Sequence, residues 1–306
     1  MKKKDANVMS RRAFLKASGV ASTSLALGGC GLGENFFPSG DDLKEFVQRH
    51  FNEMRPGDID QMRQRLLKRY KEKYGRDFVL GTEAPMPNVM FAYGLDLSRC
   101  IGCRRCVYAC VQENNQSRRP EIQWIRVLRF KKGDMNFEES EHYYDAPVVP
   151  EEGYYYMPVQ CQQCENPPCV KVCPTKATWK DADGIVSIDY NWCIGCRYCM
   201  AACPYWARRF NFAEPEIPRE QINTNLHYLG NRPRMAGVVE KCTFCVQRTR
   251  RGRYPACVEV CPVGARKFGN ILDPNSEISH VIERQRVFRL KEDLNTQSKF
   301  YYFFSI

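Results

Sequence analysis

Sixteen of the 17 cysteines lie between residues 100 and 261, in four groups of four. The first group is Cys100-x2-Cys103-x2-Cys106-x3-Cys110. The second is Cys161-x2-Cys164-x4-Cys169-x3-Cys173-Pro174. The third is Cys193-x2-Cys196-x2-Cys199-x3-Cys203-Pro204, and the fourth is Cys242-x2-Cys245-x11-Cys257-x3-Cys261-Pro262. Any fold of this chain has to gather thiols in fours. Three cysteines two residues apart sit on a loop that curls around one face of a cubic iron-sulfur cluster, so three thiolates reach three irons. Gly102 and Gly195 let that loop turn and bring backbone N–H groups toward sulfur. The fourth cysteine is expected at the start of a helix pointing away, where it ligates a neighbouring cluster. Pro174, Pro204 and Pro262 fix the chain just after it.

Two other uses of cysteine compete with this reading. Closely spaced C-x2-C-x2-C triplets pair poorly as disulfides. Structural zinc draws two C-x2-C knuckles rather than a triplet and a distant fourth thiol. The four histidines, His50, His142, His227 and His280, stand outside every quartet and read as surface or packing residues.

Composition sharpens the picture. The chain has 306 residues, 43% of them apolar, and a mean hydropathy of −0.52, which excludes a multispan membrane protein. The net charge of +11 suggests nucleic acid or anionic lipid. Residues 1–29 carry six basic residues against one acid, however, and without them the charge is +6. Four oxidised clusters with their thiolates, at about −2 each, bring the sum to about −2. The surplus Lys and Arg are therefore read as counter-charge to clusters, and no nucleic-acid partner is expected.

The N-terminus reads as an address. Ser10-Arg11-Arg12-Ala13-Phe14-Leu15-Lys16 resembles the twin-arginine export signal, and Ala17 to Leu27 is a weakly apolar stretch of signal length. That route carries folded proteins, which suits a chain that receives its cofactors before export. Leu27-Gly28-Gly29-Cys30 is similar to a lipobox, with Cys30 as the lipidated residue. Firm anchoring then takes more than one acyl chain.

Ser39-Gly40-Asp41-Asp42 can cap a helix carrying Leu43, Phe46, Val47, Phe51 and Met54. Asp58 and Gln61 can cap a second, with Ile59, Met62, Leu66 and Tyr70 on one face and a stop at Gly75. Its other face is basic (Arg63, Arg65, Lys68, Arg69, Lys71, Lys73). This is either a solvated helical hairpin or a collar for a partner or an anionic membrane surface. Gln123–Phe130 and Tyr154–Val159 read as strands joined by an acidic, turn-rich loop, Lys131 to Pro150. The aromatic tail Phe300–Ile306 suits either the chain's own body or a partner or membrane interface.

Pro158-Val159-Gln160-Cys161-Gln162-Gln163-Cys164-Glu165-Asn166-Pro167-Pro168-Cys169 resembles the iron-sulfur subunits of the DMSO reductase and polysulfide reductase family. So do Asp183-Gly184-Ile185-Val186-Ser187-Ile188-Asp189, Cys193-Ile194-Gly195-Cys196-Arg197-Tyr198-Cys199 and Lys241-Cys242-Thr243-Phe244-Cys245. The resemblance covers about residues 90 to 275. It implies an α+β fold of tandem bacterial-type dicluster ferredoxin modules with an N-terminal helical extension. The expected division is a signal with lipobox over 1–30, a helical extension over 31–90, a four-cluster domain over 91–275 and a tail over 276–306. It also implies that quartet one pairs with four and two with three. One 4Fe-4S cluster then takes Cys100, Cys103, Cys106 and Cys261, and its neighbour Cys242, Cys245, Cys257 and Cys110. A third takes Cys161, Cys164, Cys169 and Cys203, and the last Cys193, Cys196, Cys199 and Cys173.

Exported members resemble the electron-transfer subunits of periplasm-facing nitrite-reduction, sulfate-reducer transmembrane and alternative complex III type assemblies. The implied partners are a multispan quinone-binding subunit of the polysulfide reductase type and a periplasmic multihaem cytochrome c or molybdopterin subunit. The implied location is the periplasmic face of the cytoplasmic membrane. Lys241, Arg104, Arg105, Arg197 and Arg248 flank ligand cysteines and are expected to favour the reduced, more negative clusters. The sequence offers no nucleophile–base motif, no G-x-G-x-x-G after a strand and no P-loop. It predicts a non-catalytic electron-transfer subunit. The rival readings are a free lipid-tethered polyferredoxin shuttle and a structural zinc-cysteine protein.

Overall fold

The computed structural model describes residues 56–305. The expected export signal, Cys30 and the helix expected over 43–54 lie outside them. The chain divides into two units between Gln64 and Arg65, within helix α1 (Pro56–Tyr74). In the first unit Asp58 lies in the first turn, where a negative charge suits the helix dipole, and Arg63 pairs with Asp60 at 3.3 Å. In the second, α1 buries Leu66, Tyr70 and Tyr74. Gly75 ends the helix at φ +62°, its N–H donating to the Lys71 carbonyl at 2.8 Å. Part of the basic face is neutralised locally, Lys71 by Asp77 and Lys73 by Glu214, both at 2.7 Å.

The second unit is built from short strands and one-turn helices. Its largest sheet has three strands, with β2 (Phe91–Asp96) between β10 (Arg266–Asn270) and β11 (Phe300–Phe303). β2 runs antiparallel to β10 and parallel to β11. Every residue of β2 is buried, so Phe91 to Leu95 show no polar alternation, as a strand covered on both faces requires, and only Asp96 at its end is charged. Tyr93 stacks on Phe300 at 4.6 Å between ring centroids, and Phe91 on Phe268 at 5.2 Å.

The remaining sheets are pairs: β1 (Val79–Gly81) with β8 (Asn225–His227), β3 (Arg126–Lys131) with β4 (Tyr154–Val159), β5 (Thr178–Lys180) with β6 (Val186–Ile188), and β7 (Arg209–Phe210) with β9 (Val239–Glu240). β3 and β4 fall where β-branched and aromatic residues predict them, in antiparallel register with Phe130 opposite Tyr155. The helices α2 (Arg105–Glu113), α3 (Pro168–Lys171), α4 (Tyr198–Ala201), α5 (Val246–Thr249), α6 (Ala256–Glu259) and α7 (Glu277–Arg284), with three single-turn 3-10 helices, complete the described elements. Among the described residues no helix is long and apolar enough to cross a membrane.

The aromatic tail packs on the protein's own body. Phe300, Tyr302 and Phe303 are buried in β11. The segment before it lies on the second cysteine quartet, where Glu165 N–H donates to Gln297 O at 2.9 Å and Lys299 N–H to Gln162 O at 3.0 Å. Replacing Phe300 by Ala removes a fully buried ring and is expected to cost about 3–5 kcal/mol. Anaerobic thermal bleaching of the visible absorption measures this. A drop in midpoint no larger than that of Tyr301→Ala, at a less buried position of the same strand, contradicts the central role of β11.

Candidate metal centres

All four quartets open on the same backbone turn. The second residue after the first cysteine has positive φ in each: Gly102 at 72°, Gln163 at 45°, Gly195 at 74° and Phe244 at 53°. Glycine signals this turn only in quartets one and three. For other residues a left-handed φ costs roughly 1–2 kcal/mol, and here the surroundings offset it. Gln163 is fully buried, its Nε2 donating to Cys242 O and its Oε1 accepting from Val186 N–H, both at 2.8 Å. Phe244 is buried edge-to-face on Phe268 at 5.3 Å. The glycines are also needed for space. A Cβ at Gly102 would overlap the Tyr156 ring, and one at Gly195 the Gly237 carbonyl oxygen.

The helices correct the expected place of the fourth cysteine. It is the third cysteine that starts a helix: Cys106, Cys169, Cys199 and Cys257 are each the second residue of α2, α3, α4 and α6. The fourth stands one turn on, Cys110 late in α2 and Cys173, Cys203 and Cys261 just past the ends of α3, α4 and α6. One turn rises about 5.4 Å, so each short helix separates two thiols along its axis and can serve two centres.

The structure brings the cysteines together across quartets. Cys100, Cys103 and Cys106 line a cavity with Cys261. Cys161, Cys164 and Cys169 line another with Cys203. Burial and then the Cys245, Cys242 and Cys257 thiols push Cys110 well up, and Asn114 Nδ2 contacts both Cys110 and Cys245, so this cysteine of quartet one stands beside quartet four. Cys199 is raised by burial, with Cys193 and Cys169 adding to it. Cys173 Sγ lies 3.8 Å from Thr175 Oγ1, whose hydroxyl donates at 3.2 Å to Trp192 O, the residue before Cys193.

The donor set fits cubic clusters. All sixteen described cysteines are free thiols. Among the described residues no three His, Cys, Asp or Glu side chains converge on a point for a single metal ion. A mononuclear zinc site needs that convergence, whereas thiols ringing a cavity hold a cluster between them. Burial pushes the thiols of Cys100, Cys164 and Cys245 up to about 12. Binding iron as thiolates therefore releases protons.

The polar groups that reach sulfur are not the ones flanking the cysteines in sequence. Lys241 Nζ donates to Cys242 O at 2.8 Å. Arg248 pairs with Glu113 and Glu259, Arg104 donates to Gln123 Oε1, Arg197 lies over Phe210 and Phe212, and Arg105 is exposed. Bonds to thiols come instead from Gln116 Nε2 to Cys110 at 3.1 Å and from Asn114 Nδ2 to Cys110 at 3.6 Å and Cys245 at 3.5 Å. Arg266 reaches Cys106 at 3.1 Å, and Arg208 lines the cavity of Cys161, Cys164, Cys169 and Cys203. A shared pattern, C-P-x-x-A-R, carries the signal for both arginines in Cys203–Arg208 and Cys261–Arg266.

The 4Fe-4S dicluster domain family matches this sequence over residues 99–177, and again over 153–236 and 230–271. The Hdr-like menaquinol oxidoreductase iron-sulfur subunit 1 of Archaeoglobus fulgidus is 41% identical over 253 residues, 74% of this chain and 87% of the relative. This protein belongs to the DMSO reductase and polysulfide reductase family of iron-sulfur subunits. Two further members are the iron-sulfur cluster-binding subunit of menaquinone reductase from Nitratidesulfovibrio vulgaris and a polysulfide reductase subunit from Wolinella succinogenes. They are 38% and 36% identical, each matching 68% of this chain, and are covered over 86% and 92% of their own lengths. As a family member it is an iron-sulfur electron-transfer protein of the α+β dicluster type, and its cysteines fit four 4Fe-4S clusters. Gly195→Ala strains the third loop both by conformation and by overlap. Iron and acid-labile sulfide are expected to fall from about 16 to about 12 per chain, one cubic cluster of four irons. Full iron content in that variant contradicts the loop geometry.

Proposed function

We propose that the protein relays electrons between a membrane quinone- or quinol-interacting subunit and a periplasmic redox partner, a multihaem cytochrome c or a molybdopterin subunit. The relatives' names support this reading: one is a menaquinol oxidoreductase subunit, another a menaquinone reductase subunit, a third a part of polysulfide reductase. The multispan subunit of the polysulfide reductase type remains the proposed membrane partner. Ser10–Lys16 and Cys30 are the basis for proposing export by the twin-arginine route, a lipid anchor and a place on the periplasmic face of the cytoplasmic membrane.

The ligand sets are proposed as the resemblance implies them. Cys100, Cys103, Cys106 and Cys261 form the first, and Cys242, Cys245, Cys257 and Cys110 the second. Cys161, Cys164, Cys169 and Cys203 form the third, and Cys193, Cys196, Cys199 and Cys173 the fourth. Each cluster supplies one-electron transfer with little rearrangement. The observation that carries the relay is a gradient of burial in these sets. All eight cysteines of the second and third sets are buried. In the first, Cys100, Cys103 and Cys261 are partly exposed; in the fourth, Cys173 and Cys193 are partly exposed and Cys196 fully so. The protein thus shields two of the proposed centres from water and leaves the other two more open. Beside the fourth set the side chains of Trp192, Ile194 and Tyr198 are exposed, an apolar rim suited to a protein partner.

Two measurements test this. Detergent extraction of the native membrane is expected to yield the protein in complex with a multispan subunit, and elution as a lone monomer favours the tethered shuttle instead. Cys261→Ser is expected to disturb the EPR signal of the centre built on Cys100, Cys103 and Cys106. Damage confined to the centre of Cys242, Cys245 and Cys257 contradicts the crossed ligand sets.

A further inference from the structure

Buried arginines elsewhere in the protein are neutralised by carboxylates. Arg234 pairs with Glu240 at 2.9 Å, Arg250 with Asp181 at 2.7 Å and Asp183 at 2.8 Å, and Arg232 with Asp189 at 3.3 Å. Arg208 and Arg266 are as deeply buried, at 3% and 4% exposure, but what faces them is sulfur. An unpaired charge in a protein interior is strongly unfavourable, so anions belong at both places.

Arg266 forks. One terminal nitrogen donates to Cys106 Sγ at 3.1 Å, and the other to Tyr93 Oη at 2.8 Å and Gln160 Oε1 at 3.1 Å. The Tyr93 hydroxyl lies 3.4 Å from Cys257 Sγ. One buried cation and one phenol therefore join a thiol of quartet one to a thiol of quartet four. Arg208 is placed likewise between quartets two and three: burial disfavours its charge, the Cys169 and Cys199 thiols more than offset this, and it donates to Thr178 Oγ1 at 3.0 Å. Each arginine also lines one of the two cysteine cavities. Both stand five residues after a fourth cysteine, and Thr178 holds the matching position after Cys173. There is one arginine for each pair of quartets, on one repeated pattern.

We infer that Arg266 and Arg208 are shared counter-cations, each holding up the reduction potentials of the two neighbouring centres whose thiols it joins. The inference rests on the relay reading above. A centre gains one negative charge on reduction, and a fixed guanidinium in hydrogen-bond contact with its sulfur favours that state. Because the fork reaches two centres, one substitution must act on two potentials. Arg208 and Arg266 are positioning residues in this sense and carry no electron themselves.

EPR-monitored redox titration of the intact, cluster-loaded protein tests it. In Arg266→Gln, two of the four potentials are expected to fall by a tenfold shift in the reduced-to-oxidised ratio or more, about 59 mV for a one-electron couple. The other two stay in place. Arg208→Gln gives the mirror result. Four signals with unmoved potentials at full iron content, a shift in one centre only, or an equal shift in all four overturns the inference while leaving the relay standing. A native protein without four titrating signals overturns the relay itself. Should Arg266→Gln lose iron, Tyr93→Phe decides: it keeps the cation and removes the link to Cys257, and is expected to lower the centre containing Cys257 alone. No shift there counts against the shared cation.

Discussion

Packing sixteen thiols into four groups is the constraint that the rest of the second unit answers. Sulfur in a dry interior holds its proton: burial first, and then neighbouring thiols, push Cys100, Cys164 and Cys245 up to about 12. Iron takes thiolate, so the energy of cluster binding becomes energy of folding. The protein meets the bound anions with amide donors and guanidinium groups rather than with water. Asn114 and Gln116 point amide nitrogens at Cys110 and Cys245, and Arg266 and Arg208 supply full charges.

Short elements are the natural material for such a body. A long helix or a wide sheet cannot bring four cysteines to one cavity and then four more to the next. One-turn helices and two-residue strands can, because each repeat of loop, turn and strand redirects the chain. The long-range register is held elsewhere, in the aromatic stack of Tyr93, Phe300, Phe268 and Phe91 across β10, β2 and β11. Carboxylate-paired arginines such as Arg250, with Asp181 and Asp183, tie distant loops together.

Cysteine spacing made the centres legible, because the geometry of a cube leaves few ways to reach three irons from one loop. Helix α1 and strands β3 and β4 were also readable from periodicity and residue type. Gln163 and Phe244 were not readable as left-handed residues, since neither type favours that conformation. Their φ is fixed by partners far away in sequence, Cys242 and Val186 for one and Phe268 for the other. Proximity in sequence also misdirected the search for charges near sulfur. Lys241 adjoins Cys242 and bonds its carbonyl, whereas Arg266 stands 160 residues from the Cys106 thiol it touches. The fourth cysteine was expected to open a helix, and it stands a turn further on, late in α2 or just past the end of α3, α4 and α6. The spacing of three is the same either way, so only the backbone decides.

Strand β11 lies downstream of every cysteine, yet it covers one edge of β2 and its preceding segment lies on quartet two. During synthesis the ribosome therefore exposes the complete thiol complement before the strand that closes the sheet exists.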